Sequence, residues 1–174
     1  MKRLSDFKRQ TFRNLGVAAT LVLATVSAPA AQTVPPGSLP FGVYDPNGDF
    51  TDLAGVSIEH LFLPWEDVLL PSLKEAETYA KERDRTLLVT IEPWTWSRDE
   101  RNSPSVLRNG IESGAYDEKM AAICTALGSL DIPMTIRWAQ EMDDDSGQFI
   151  WAGWEPERYI SAYRRMNDVC RVAL

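Results

Sequence analysis

Two glutamates follow apolar runs that have the pattern of buried strands, and a carboxyl group in that position is suited to proton transfer. Glu141 follows the run 134–140, and Glu92 follows the run 86–91. Because side chains alternate faces along a strand, we expect Arg137 and Glu141 on one face and the large apolar residues on the other. Unpaired charge is costly to bury, but barrel enzymes place catalytic groups at the carboxyl ends of their strands. The pattern indicates acid/base chemistry; the alternative is charged residues on ordinary loops.

Aromatic side chains accompany both acids. Tryptophans fall on the segments that follow the two strands, at Trp94, Trp96, Trp151 and Trp154. Indole rings pack well on the flat C–H faces of pyranose sugars, so tryptophan beside carboxylates favours a sugar-binding groove. The alternative is that these rings pack at the rim of the core, as most tryptophans do.

Strand and helix patterns alternate along the chain. We predict strands at 41–45, 58–65, 86–94 and from 134, and helices at 70–83, 116–130 and from 156. The segment 50–55 is expected to form a helical turn, and 97–113 a polar loop. This alternation predicts an α/β fold with a parallel sheet covered by helices, either a (β/α)₈ barrel of the TIM type or an open doubly wound sheet. A nucleotide-binding open sheet is disfavoured, because no glycine-rich loop follows a strand.

The amino-terminal segment has the order of parts of a secretory signal peptide. Residues 1–14 are rich in Lys and Arg, 15–26 are uncharged and apolar, and Ala28-Pro29-Ala30 supplies small residues for cleavage. We therefore predict a signal peptide at 1–30, a proline-rich leader at 31–40, and a secreted or periplasmic protein cleaved near Ala30. The alternative is an uncleaved membrane anchor.

Charge and residue counts disfavour several classes of partner. Loss of residues 1–30 removes five basic residues and one acidic residue, which takes the net charge from −7 to −11. Nucleic-acid binding and membrane insertion of the mature chain are therefore not expected. One histidine and no close cysteine pair give no metal pattern, and no cofactor is expected. Cys124 and Cys170 fall on apolar helix stripes, so we expect two buried thiols, although an exported chain can form a disulfide.

Three segments resemble glycoside hydrolase family 26, the β-mannanases and related endo-glucanases. They are Phe41-Gly42-Val43-Tyr44-Asp45-Pro46, then Leu88-Val89-Thr90-Ile91-Glu92-Pro93-Trp94, and then Ile136-Arg137-Trp138-Ala139-Gln140-Glu141-Met142-Asp143 followed by Trp151 and the helix from Pro156. The resemblance implies a (β/α)₈ barrel, a retaining mechanism on a β-linked polysaccharide, and Glu141 as general acid/base. Substrate contacts are expected from Glu92, Trp94, Trp96, Arg137, Gln140 and Trp151. The chain departs from the family at Gln140, where His is usual, and at Asp143, where Asn is frequent.

The length of the chain limits what the resemblance implies. A complete barrel takes about 250 residues, and residues 41–174 contain four predicted strands. We therefore expect 41–174 to be a partial barrel domain that lacks the nucleophile-bearing half. We expect Arg137 to position neighbouring carboxylates such as Glu92, and open sheet edges to promote self-association. The alternatives are a catalytically silent carbohydrate-binding protein and a truncated gene product without independent function.

Overall fold

The computed structural model describes residues 39–173, which form an α/β fold around one parallel sheet. The sheet has four strands in the order β1-β2-β3-β4, so that each strand pairs with its neighbours in sequence. The strands are β1 Phe41–Val43, β2 Val56–Pro64, β3 Thr86–Glu92 and β4 Met134–Trp138. All four predicted strands are therefore present. The predicted signal peptide and most of the leader lie outside the described residues.

Four α-helices connect the strands or follow them: α1 Leu73–Lys81, α2 Pro104–Ser113, α3 Asp117–Gly128 and α4 Pro156–Ala173. Single-turn 3₁₀ helices occur at Leu70–Ser72 and Arg98–Glu100. The predicted helix at 70–83 is therefore a 3₁₀ turn followed by α1. The segment 50–55 forms turns.

The prediction of a polar loop over 97–113 was wrong, because its second half is α2. Ser103 caps the helix by accepting a hydrogen bond from the Val106 amide at 3.3 Å, and Pro104 occupies the first turn. Gly114 ends the helix with φ +86°, the left-handed conformation typical of a helix terminus. Leu107 and Ile111, one turn apart, bury the inner face of the helix.

The helices cover only one face of the sheet. On this face, which we call the packed face, Leu63, Leu87, Val89 and Ile91 are buried and join one core with residues of α2, α3 and α4. Thr135 and Arg137 of β4 point to the opposite face and are exposed, while His60, Phe62 and Leu88 there are half-buried. We call this second face the open face, because no described helix lies over it. The predicted alternation along β3, with Val89 and Ile91 opposite Thr90 and Glu92, is confirmed.

Two interactions between distant segments hold the elements together. A disulfide joins Cys124 of α3 to Cys170 of α4, with their Cα atoms 5.3 Å apart. The prediction of two free thiols was wrong: both sulfur atoms are buried as expected, but the packing of α3 on α4 brings them face to face. Directly before β3, the buried Arg85 guanidinium donates to Glu59 Oε2 at 2.7 Å and to the carbonyl of Phe50 at 2.7 Å.

Candidate functional site

The carboxyl ends of β3 and β4 bring a buried carboxylate and an amide together. Glu92 is the last residue of β3, and only 5% of it is exposed. Its Oε1 accepts a hydrogen bond from Gln140 Nε2 at 2.6 Å. Gln140 therefore holds Glu92 in one position.

The backbone turns sharply after β4, and this turn sends the side chains of Gln140 and Glu141 into different surroundings. Ala139 and Glu141 have φ values of +49° and +53°, in the left-handed region that non-glycine residues seldom adopt. As a result Gln140 is buried and Glu141 is exposed to solvent. The prediction that strand alternation continues to Glu141 was wrong, because β4 ends at Trp138. The carboxyl group of Glu141 reaches solvent through this turn instead.

Aromatic side chains from the following segments fix this turn. Trp151 Nε1 donates to the carbonyl of Gln140 at 2.6 Å, and Tyr159 Oη donates to the carbonyl of Ala139 at 2.7 Å. Trp151 is completely buried and packs edge-on against Trp94 with ring centroids 4.7 Å apart. Neither Trp94 nor Trp151 therefore presents a ring face to a ligand. Both support the strained turn, and we assign them to support rather than to direct substrate contact.

Trp96 is the tryptophan that meets solvent, with 60% of its surface exposed. Its backbone amide donates to Asp67 Oδ2 at 2.7 Å, and the Thr95 hydroxyl donates to Asp67 Oδ1 at 3.2 Å. Asp67 follows β2, so three neighbouring strands each contribute a residue at this end of the sheet. Asp67 was not singled out from the sequence, because an acidic residue in a loop carries no distinctive signal. Trp154 is half-buried and donates through Nε1 to the carbonyl of Ile150.

Arg101 is a second residue that the sequence did not indicate. Its guanidinium carbon lies 3.4 Å from the ring centroid of Trp94, and its Nε donates to the carbonyl of Thr95 at 2.9 Å. Burial lowers the pKa of Arg101, the charge of Arg98 lowers it further, and the negative charge of Glu92 opposes both effects. The arrangement places a cation near the buried carboxylate.

Arg137 lies on the open face and does not hold Glu92. Its Nε donates to Thr90 Oγ1 at 2.9 Å, and the same oxygen lies 2.8 Å from His60 Nε2. With Nε of Arg137 donating to this oxygen, the Thr90 hydroxyl proton can go to His60, which then has an unprotonated Nε2. Burial lowers the pKa of His60, and the charge of Arg137 lowers it further. The predicted pairing of Arg137 with Glu92 was therefore wrong, and Gln140 takes that role.

Three buried polar atoms near the site have no hydrogen-bond partner among the described residues: Trp94 Nε1, Trp138 Nε1 and Gln140 Oε1. A buried donor or acceptor left unpaired costs about 1–3 kcal/mol. Their clustering at the carboxyl ends of β3 and β4 shows that this end of the sheet has spare hydrogen-bonding capacity.

No protein-family model matches the chain, and no curated protein matches it. None of the helices within residues 39–173 has the length and apolar character needed to cross a bilayer. The same residues contain no group of three acidic, histidine or cysteine side chains arranged to hold a metal ion.

Proposed function

We propose that the chain is a secreted, family-26-like glycosidase component that acts on O-glycosidic bonds of a β-linked polysaccharide of the mannan or glucan type. In this proposal Glu141 is the general acid/base of a retaining mechanism, and residues 41–174 form the first half of a (β/α)₈ barrel. The carrying observation is the turn after β4, where a strained backbone exposes Glu141 directly beside the buried pair Gln140–Glu92.

The groups around Glu141 suit a neutral, hydroxyl-rich ligand. The exposed indole of Trp96 offers a flat apolar surface, and Asp67 fixes its loop. Glu92 and Gln140 are buried, so in this proposal their hydrogen bond fixes the turn that exposes Glu141, and the sugar meets the side chains at the surface. Sugar sites combine such features: apolar walls and a few fixed polar groups.

The proposed chemistry needs two carboxylates, of which the described residues supply one. A retaining glycosidase uses one carboxyl group as general acid and then general base, and a second, about 5–5.5 Å away, as nucleophile. Glu141 is exposed and free to exchange protons with a substrate oxygen. Glu92 is buried and held by Gln140, so it is suited to binding and positioning rather than to attack. The nucleophile must therefore come from polypeptide other than the described residues.

The disulfide supports the proposed location. Disulfides form and persist in oxidising compartments such as the periplasm and the cell exterior. The Cys124–Cys170 bond is thus consistent with export, the role we propose for residues 1–30.

The first test measures binding and turnover by the chain itself. We expect binding of manno- or gluco-oligosaccharides by calorimetry, with no release of reducing sugar from mannan or mixed-linkage glucan. Trp96→Ala should weaken binding, whereas Val172→Ala, at an exposed apolar residue near the end of α4, should not. If the chain bound neither manno- nor gluco-oligosaccharides, the proposal would be overturned.

The second test supplies the second half of the barrel from a family-26 enzyme as a fusion. Glu141→Ala in this fusion should lower turnover of polymer about 10²–10⁴-fold, the usual contribution of general acid/base catalysis. Aryl glycosides with good leaving groups should be affected less, and azide should partly restore their turnover. Glu75→Ala, an exposed glutamate of α1, is the control. Full activity of the Glu141→Ala fusion would show that Glu141 is not the acid/base.

A silent carbohydrate-binding protein is the second candidate function. It is favoured by one observation, that the carboxylate of Glu92 is buried and already hydrogen-bonded to Gln140. Sugar binding by the chain together with an inactive fusion would select this candidate over the glycosidase.

A further inference from the structure

We propose that Asp67 and Arg101 are positioning residues that hold the loop after β3 in one conformation, so that the indole of Trp96 is a preformed platform for the face of a pyranose ring. We call this loop, residues 93–101, the tryptophan loop. The inference rests on the proposed function, because it takes a sugar as the ligand of Trp96. The conformation of the loop, however, is measurable without any ligand.

Asp67 binds the middle of the tryptophan loop through both of its carboxylate oxygens. Oδ2 accepts a hydrogen bond from the Trp96 amide at 2.7 Å, and Oδ1 accepts one from the Thr95 hydroxyl at 3.2 Å. The Thr95 oxygen in turn accepts from the amide of Ser97 at 3.2 Å. One carboxylate therefore holds two consecutive backbone amides, the first directly and the second through Thr95.

The position of Asp67 is itself fixed by the segment that follows β2. The Asp67 amide donates to the carbonyl of Pro64 at 3.0 Å, which closes a turn. Within this turn Trp65 is only 3% exposed and stacks on Tyr116 with ring centroids 4.7 Å apart. The Trp65 amide donates to the carbonyl of Glu92 at 2.9 Å. The segment after β2 therefore lies beside the segment after β3, and Asp67 is held where it meets the tryptophan loop.

Arg101 fastens the same loop from its carboxyl-terminal end. Its Nε donates to the carbonyl of Thr95 at 2.9 Å, and its guanidinium carbon lies 3.4 Å from the ring centroid of Trp94. Trp94 is buried and packs against Trp151, so the cation rests on a fixed aromatic base. Thr95 is thus bonded through its carbonyl to Arg101 and through its hydroxyl to Asp67.

The contrast between backbone and side chain at Trp96 indicates what this arrangement does. Thr95 is only 7% exposed, whereas the next residue, Trp96, has a bonded amide and is 60% exposed. A group that is already ordered loses less conformational freedom when a ligand binds. Ordering one mobile side chain on binding lowers affinity about 2–10-fold. The hydrogen bonds of Asp67 and Arg101 therefore favour binding by removing this cost in advance.

Hydrogen exchange of the ligand-free chain tests the conformation of the loop. The Trp96 amide should exchange about 10-fold faster in Asp67→Ala than in the unaltered chain, because it loses a charged acceptor. Asp67→Asn keeps one acceptor oxygen and should fall between the two. Asp99→Ala is the matched control, since it removes the same charge from an exposed position of the same loop. It should leave the exchange of the Trp96 amide unchanged.

Calorimetry with manno- or gluco-oligosaccharides tests the link to the ligand. Asp67→Ala should weaken binding about 2–10-fold, and Asp99→Ala should not. In a Trp96→Ala background, Asp67→Ala should have no further effect, because it acts only through Trp96. Arg101→Lys keeps the charge but loses the flat stacking group, so it should weaken binding to a similar degree. Arg98→Lys, at an exposed position of the same loop, is its control.

Three results would overturn the proposal. They are unchanged exchange of the Trp96 amide in Asp67→Ala, unchanged sugar affinity in Asp67→Ala, and a loss of affinity that persists when Trp96 is already alanine. Failure of the proposed function has a different signature. In that case the unaltered chain binds neither sugar, while faster exchange in Asp67→Ala upholds the positioning role and removes only the sugar from the inference.

Discussion

Breaking the Cys124–Cys170 disulfide should cost a large part of the stability of the folded chain. The bond joins residues 46 positions apart. The loop-closure relation, in which a cross-link restricts the unfolded chain, gives about 4 kcal/mol for a loop of this length at 25 °C. Domains of this size are stable by only about 5–15 kcal/mol. Reduction should therefore move the unfolding transition to a clearly lower urea concentration.

Urea denaturation followed by tryptophan fluorescence measures this effect. The buried ring of Trp151 lies in the segment between the two cysteines, and the buried ring of Trp94 packs against it. Both rings therefore report on the unfolding of this segment. We compare the oxidised protein, the reduced protein and the double variant Cys124→Ala with Cys170→Ala. The oxidised form should have the highest midpoint, and the other two should lie close together.

The control is addition of reductant to the double variant, which should change nothing. Thiol titration of the denatured, unreduced protein should find no free thiol. Two free thiols, or identical midpoints before and after reduction, would refute the reasoning and restore the prediction of two buried thiols.

Ala139→Val should destabilise the fold by roughly 2 kcal/mol or more, because a β-branched side chain is strained at φ +49° and the site is buried; Ala139→Gly should be neutral or stabilising, and equal urea midpoints for the two variants would contradict this. Glu59→Gln should cost about 3–5 kcal/mol, because it leaves the buried charge of Arg85 without its partner; adding Arg85→Met should recover part of the loss, and a neutral single variant would show that the pair is solvated. Hydrogen bonds from Lys74 and Lys81 lower the pKa of Glu77 to about 2, against the opposing effect of burial. The stability from this depressed pKa is fully present above about pH 4.5 and is lost as the pH falls toward 2. Glu77→Gln should flatten the acid limb of a thermal-melting profile, and an unchanged limb would contradict the assignment.

The strands and their faces could be predicted from the sequence because they depend on local alternation. β3 carries apolar residues at every second position, and the same pattern defines the packed face in the structure. The helix α2 was missed for a different reason. Its segment is polar overall, so that only Ser103, Pro104 and Gly114 indicate where the helix begins and ends.

The site was predicted less completely because its geometry depends on contacts between distant segments. The left-handed turn at Ala139 and Glu141 breaks the alternation, and its supports at Trp151 and Tyr159 come from a later segment of the chain. The link between Gln140 and Glu92 joins residues 48 positions apart. The disulfide depends likewise on how α3 packs on α4. No local pattern encodes such distances.

The strand order has a consequence for how the chain is made. Since each strand after β1 pairs with the strand that precedes it in sequence, the sheet can form from its amino-terminal side as the chain emerges into the compartment where it folds. Each new strand finds its template already formed, and each in turn becomes the unpaired edge. The growing sheet therefore exposes a strand edge at every stage of synthesis, and each such edge is a place where another chain can add a strand before the next one is made.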